Sequence, residues 1–440
     1  GPILKTLTKL AIPIMASSFL GTLYNITDMA WIGQLGSKAV AGVGVGGMYI
    51  WLSQGLASMS RMGGHVQVAQ YIGRGDWEEA HGYAQAAVQL SLLTGLAFSA
   101  MCVIFLHPLV GFFKLTDPEA LDAAFSYTRV ACGLLVFSFL TLTLTGLYTA
   151  QGDSKTPFVA NFIGLLINLL LDPLLILGVG PFPRIEVAGA AVATVSAQLV
   201  VMLVMMVGVF RSKKEENVLK GIRLFEPFSK EELGNICKIG GPTAIQGMVY
   251  CMISMVLTRM VAAFGAEAIA TQRVGGQIES VSWNTADGFA AALNAFVGQN
   301  YGAKKMDRVQ KGYRISFWTV AIWGALIMLA FIIFPGPIAR VFFHEEKAME
   351  IAISYLIIIG FSEAFMCVEL MTIGALSGLG KTKLCSVISI TATSMRIPLA
   401  MVLSRTSLGL DGIWWALTLT SVAKGIIFYL TFRYQMREKC

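Results

Sequence analysis

The sequence predicts an all-α integral membrane protein, with twelve transmembrane helices in two six-helix parallel pseudo-repeats around a central cavity. Three observations carry that expectation. The 440 residues are 55% hydrophobic and only 13% charged, with a mean hydropathy of +0.68, far above what a water-soluble globule of this length needs. Apolar stretches of about 20 residues, such as 190–210, 315–334 and 384–403, each suit one helical crossing of a roughly 30 Å hydrocarbon core. The third observation is internal: the chain resembles itself when slid by 229 residues.

The apolar runs and their breakers place helices near 10–33, 39–66, 82–106, 121–148, 156–178 and 187–210. In the second half they fall near 235–263, 268–297, 312–334, 350–376, 383–404 and 411–432. A β-barrel reads differently, as alternating segments of about ten residues, whereas the 45 glycines here suit helices that pack closely in lipid. The opening Gly-Pro reads as a protease scar or truncation point, and no cleavable signal is expected after it. One side of the predicted topology collects Lys5, Lys9, Arg74, Lys155, the cluster from Arg211 to Lys238, Lys304 to Arg314, Lys381, Lys383 and Arg433 to Lys439. The other side has only Lys38, Lys114, Arg184, Arg340, Lys347 and Arg405. Both termini are therefore expected in the cytoplasm, in a multi-pass protein of the cell (cytoplasmic) membrane. The same placement explains the net charge of +7 without nucleic acid as a partner.

Residues 211–234, "RSKKEENVLKGIRLFEPFSKEELG", form the longest polar stretch. They are expected to be a solvated cytoplasmic linker on an anionic leaflet, joining an N-terminal lobe (1–210) to a C-terminal lobe (235–440). The offset of 229 superposes Lys9 on Lys238, Pro13 on Pro242, Gly36 on Gly265 and Gly47 on Gly276, and a slip to 226 lays "GDSKT" (152–156) on "GLGKT" (378–382). Six helices per repeat return the chain to the same side, so the repeats are parallel, with a cavity between them.

Within the N-terminal half, Asp28 interrupts "TLYNITDMAWIG", where ionisation costs about 3 kcal/mol on insertion scales. Its expected company is Asn168 and Asp172, spaced i, i+4 on one helix face, with Thr194 from helix six. Arg129 is the one nearby cation of that half, so the two carboxylates must be neutral, share a proton or hold a cation. Pro13 removes a helix hydrogen bond and makes a bend in helix one inexpensive. The second half lacks Asp28, since the offset lands on Leu257, but has Arg273, Glu279 and Asp287 in helix eight, Glu363 and Glu369 in helix ten and Arg396 in helix eleven. Arg273 and Asp287 fall about 40° apart around an ideal helix, and Glu279 points elsewhere. These groups form internal salt bridges, or some of the acids attract cationic substrates.

Seven cysteines show neither paired spacing nor CxxC, so no disulfide framework or metal cluster is expected. GxSxG, HExxH and GxxxxGK[ST] are absent, and the spaced glycines of "AGVGVGGM" follow no strand and read as helix packing. No cofactor and no enzymatic activity are expected. An intramembrane enzyme using Asp28 and Asp172 as acid and base is the reading from another class, and it lacks a visible substrate site.

"LAIPIMASSFLGTLYNITDMAWIGQLG", "INLLLDPLLILG", "TQRVGGQIESVSW" with "GQNYGA", and the paired "GDSKT" and "GLGKT" loops together resemble the multidrug and toxic compound extrusion (MATE) transporters. The likeness covers nearly the whole chain and is greatest for the DinF-like branch. It implies a cation site at Asp28, Asn168, Asp172 and Thr194, with Tyr24 nearby, and bending of helix one at Pro13. The NorM-like branch carries an acid in helix seven, where "QGMVYCMISMV" has none. The resemblance implies an antiporter, working as a monomer, that exports lipophilic organic cations in exchange for H⁺. The alternatives are Na⁺ coupling at the same site and a lipid-linked oligosaccharide flippase, which calls for a strongly cationic cavity.

Overall fold

The computed structural model describes residues 2–35, 37–113, 115, 117–213, 215 and 217–439. Gly36, Lys114, Lys214, Glu216 and Cys440 lie outside the described residues, as does the side chain of Lys38. Among the described residues α-helix is the only regular structure besides turns. The first half comprises α1 (Ile3–Gly33), α2 (Ser37–Gly73), α3 (Trp77–Ile104), the short α4 (Leu106–Gly111), α5 (Pro118–Gly133), α6 (Val136–Ala150), α7 (Lys155–Ile176) and α8 (Val187–Arg211). The second comprises α9 (Lys230–Ala262), α10 (Ala266–Gly302), α11 (Met306–Ile333), the short α12 (Pro335–Phe342), α13 (Glu346–Gly360), α14 (Glu363–Gly378), α15 (Thr382–Ser394), α16 (Arg396–Ser404) and α17 (Leu410–Lys439).

The repeat is visible in these bounds. Both α2 and α10 have 37 residues, and both α3 and α11 have 28; their first residues are 37 and 266, and 77 and 306, an offset of 229 in each case. The fourth crossing of each half is bent at the same place, by 45° between α5 and α6 and by 51° between α13 and α14. Among the described residues nine spans are long and apolar enough to cross a membrane, with α15 and α16 counted together, and the two bent pairs make eleven. The twelfth is α10, as long as α2 but carrying Glu267, Arg273, Glu279 and Asp287. Its charges and its many amide, hydroxyl and glycine residues, not its length, lower its hydropathy.

One detail of the repeat differs from the sequence reading. Gly152 and Gly380 both have positive φ, +89° and +81°, and end their helices alike: Gly152 donates to the Thr149 carbonyl as Gly380 does to that of Ser377. The equivalent turns are therefore 228 apart, not 226. What repeats is the left-handed glycine after the helix, which closes the last carbonyls, and the "KT" pair misleads by two residues.

The chain forms two compact units, residues 12–247 and residues 248–440 with 1–11. The first unit takes in the linker and the beginning of α9. A Cβ at Gly63 or Gly240 would collide with Ile236 or Met59 respectively, so α9 starts by packing on α2. The linker is only in part the solvated tether expected: most of its described residues are exposed, but Asn217, Val218 and Leu219 are buried, and His81 Nδ1 pairs with the Val218 carbonyl at 2.7 Å. In the second unit, α10 and α14 touch where a Cβ on Gly374 would meet the Ala290 carbonyl. Gly374→Ala is expected to overpack that crossing and cost about 1–3 kcal/mol, lowering the thermal midpoint in detergent. Gly276→Ala, with open space around its Cβ, should leave it unchanged, and equal midpoints for both would contradict this packing.

Candidate functional site

The α7–α8 pair sets the site's level. The two helices run antiparallel and close in where a Cβ on Gly164 would meet Val201, and again where one on Gly189 would lie 2.6 Å from the Leu175 carbonyl oxygen. Between these two contacts Asn168 and Asp172 on α7 come level with Thr194 on α8. Asn168 and Asp172 are wholly buried, whereas Asp28, on α1, is half-buried.

Asp28 links the two helices. Asn168 Nδ2 donates to Asp28 Oδ1 at 2.8 Å and Thr194 Oγ1 to Asp28 Oδ2 at 3.1 Å. Asn168 Nδ2 also donates to Asp172 Oδ2 at 3.3 Å, and the Tyr24 hydroxyl donates to the Thr194 carbonyl at 3.3 Å. The five residues expected at this site are thus brought together. Two acceptor atoms are left over: Asn168 Oδ1 and Asp172 Oδ1 are buried with no hydrogen-bond partner. Tyr127 on α5, buried and close enough to interact with both carboxylates, is the neighbour sequence reasoning missed. A tyrosine in an apolar run has no signal of its own.

These bonds matter because the middle of α1 is otherwise lightly held. Leu7, Leu10 and Ala11 are buried at its start, but no residue from 12 to 31 is fully buried, and at its end Trp31 and Ile32 join an apolar cluster beside Ala131, Ile176 and Val187. Pro13 lies inside the helix, fifteen residues before Asp28 and about 22 Å away along the axis. It is not part of the polar cluster.

The second unit treats its charges differently. Glu369 pairs with Lys424 Nζ at 3.0 Å, both buried, and Lys424 also reaches the Thr393 hydroxyl at 3.3 Å. Lys424, in "SVAKGIIFYL" of α17, was legible as an intramembrane cation and missed. Arg396 donates to Thr420 at 2.9 Å and Ser421 at 3.0 Å, and Glu279 accepts from the Tyr355 hydroxyl at 2.6 Å. Glu363 is buried with no hydrogen bond to either carboxyl oxygen. Arg273 and Asp287 are exposed. Of the expected charges, Glu369 forms a buried salt bridge, and its partner is a lysine outside the predicted set.

A multi-pass helical protein in two repeated six-helix halves, with carboxylates inside its spans, has the architecture of a secondary transporter. Two copies of the MatE family domain match the chain, over residues 13–174 and 242–402, and the protein belongs to that family. It is a transporter and not an enzyme. It is 28% identical to the probable multidrug resistance protein NorM of Thermotoga maritima, over 98% of this chain and 93% of that protein. It is 25% identical to the FAD transporter of Shewanella oneidensis, over 97% and 94%. A crystal structure of MATE in complex with MaD3S superposes with a TM-score of 0.88 at 25% identity, over 100% and 97% of the two chains.

Breaking the buried Glu369–Lys424 pair leaves an uncompensated charge in the membrane, at a cost of about 3–5 kcal/mol. Lys424→Ala is expected to destabilise the purified protein by that amount, and Lys424→Met combined with Glu369→Gln to recover most of it. Wild-type stability of Lys424→Ala alone would contradict the pair's structural role.

Proposed function

We propose that the chain is a multidrug efflux antiporter of the cell membrane that exports lipophilic organic cations as protons enter. Its proton site comprises Asp28, Asn168, Asp172, Thr194 and Tyr24, it works as a monomer, and both termini are cytoplasmic. Within the family we place it near the DinF-like branch, on Tyr24-Asn25 with Asp28 and on Asn168 with Asp172-Pro173. The observation that carries the reading is the pair of buried oxygens, Asn168 Oδ1 and Asp172 Oδ1, that no donor meets. A buried acceptor without a donor costs about 1–3 kcal/mol, and a bound proton or cation removes that cost.

The half-buried Asp28 is the switching member. As a carboxylate it accepts from both Asn168 and Thr194. A proton on it removes the charge that strengthens both bonds and turns one oxygen into a donor. Interhelical hydrogen bonds in membranes are worth about 0.6–1.7 kcal/mol each, so losing the advantage of two shifts the position of α1 roughly ten-fold or more, at 1.4 kcal/mol per factor of ten. Pro13, whose missing N–H leaves the Lys9 carbonyl without its helical donor, lets α1 bend at low cost. Proton uptake from outside thus loosens α1 and weakens the hold on a cation, and release inside restores both.

Na⁺ is the second reading, favoured by the same unmet oxygens. Two carboxylates, an amide and a hydroxyl suit a hard cation. Proteoliposomes with a proton or a Na⁺ gradient imposed separately decide between them, with ethidium as substrate and FAD as the control suggested by the Shewanella oneidensis relative. A proton gradient alone should drive ethidium export. Asp28→Asn and Asp172→Asn should lower gradient-driven export at least ten-fold while the protein remains folded. Export driven by Na⁺ alone would overturn proton coupling, and undiminished export by both variants would overturn the site.

A further inference from the structure

The linker between the halves follows one stripe of α3 toward the membrane. His81, Gln85 and Gln89, each four residues apart, hold it in turn. His81 binds the Val218 carbonyl, Gln85 Oε1 accepts from the Arg223 amide at 3.3 Å, and Gln85 Nε2 reaches Glu226 Oε2 at 3.4 Å. Gln89 Nε2 donates to the carbonyls of Arg223, Leu224 and Glu226 at 3.4, 3.3 and 3.0 Å. Further along, the same stripe continues as Leu93 and Leu96, each 52% exposed, which is the lipid-facing surface of an apolar span.

The depth of this contact follows from helix length. The 28 residues of α3 span about 42 Å, roughly 12 Å more than the hydrocarbon core. Counting about twenty residues back from Ile104 puts the core's boundary near residue 85. Gln89, itself buried beneath the linker, is therefore about one turn inside that boundary. At this level Phe225 is 98% exposed, with Leu224 and Phe228 also exposed. The nearby charges are paired, Arg223 with Glu226 at 2.8 Å, which lowers the cost of holding them at an interface.

We propose that residues 223–228 are an interfacial anchor whose occupant is the bilayer itself: Phe225, flanked by Leu224 and Phe228, lies in the boundary between acyl chains and headgroups of the leaflet on the linker's side. Exposed aromatic side chains at this depth contact lipid, as aromatic residues do at membrane interfaces generally. The patch is continuous with the lipid-facing leucines of α3, and the glutamine ladder fixes its depth. The linker is then pinned to α3 and to the membrane at its tip before the chain enters α9, where Asn235 donates to the Tyr83 hydroxyl at 2.8 Å.

Phe225→Trp tests this, since an almost fully exposed side chain is replaced without disturbing a contact. In proteoliposomes, the emission added over wild type should be blue-shifted, quenched most by lipids brominated near the headgroup, and insensitive to iodide. Red-shifted emission that iodide quenches and brominated lipid does not would overturn the anchor. Shielding from iodide that persists in dilute detergent with no bilayer present would point to a protein covering the patch, a second copy or another partner, and would overturn it equally. Phe225→Asp gives an independent measure: in liposomes it should speed trypsin cleavage after Arg223 several-fold, and an unchanged rate would contradict the proposal.

Discussion

Hydrocarbon contains no water, so each polar atom inside a span must find its partner within the protein or hold a proton or an ion. This constraint makes the contacts of Asp28 decisive for α1. The helix has no fully buried residue from 12 to 31, and besides Trp31 packed at its end that stretch is tied to its neighbours by the carboxylate gripped by Asn168 and Thr194 and by the hydroxyl of Tyr24 on the Thr194 carbonyl. In the proposed mechanism, a helix held by polar bonds to one titratable group moves when that group changes charge. A helix held by apolar packing would not.

The two units show what the same scaffold does with different polar insets. Their helices repeat in length and in the bend of the fourth crossing, yet the carboxylates of the first unit meet amides and hydroxyls, whereas Glu369 of the second meets Lys424. A carboxylate paired with a fixed cation has its charge compensated. One paired with neutral donors has no such compensation, and that difference favours coupling in the first unit. Glu363, buried without a hydrogen bond, and Glu279, which meets the neutral Tyr355 hydroxyl, are acids of the second unit that this reasoning leaves open to a charged substrate or a proton.

Much of this was legible in the sequence because hydrophobic length, glycine spacing and charged residues in apolar runs are one-dimensional signals. Asp28, Asn168, Asp172, Thr194 and Tyr24 stand out as polar residues in lipid-length segments, and α7 displays its i, i+4 pair directly. The signals failed where the deciding contact is long-range. Tyr127 looks like any core aromatic until its position beside the carboxylates is known. Lys424 stood out by type, but its pairing with Glu369 depends on which faces of α14 and α17 meet. The linker's charges suggested solvation, while the ladder of His81, Gln85 and Gln89 that binds its backbone pairs residues more than 130 positions apart. The "KT" match set the repeat two residues out of register because backbone conformation, carried by Gly152 and Gly380, is what the two turns share.

The central claim is that substrate and proton compete through Asp28. Linkage makes the competition reciprocal: if protonation weakens substrate binding, substrate must lower the site's proton affinity by the same free energy, about 1.4 kcal/mol for each pH unit. The most direct measurement is therefore proton release into weak buffer when a lipophilic cation is added to detergent-purified protein. Wild type should release protons in proportion to the substrate bound, and Asp28→Asn, binding the same cation, should release none. Equal release from both would place the coupling at another group and contradict the account.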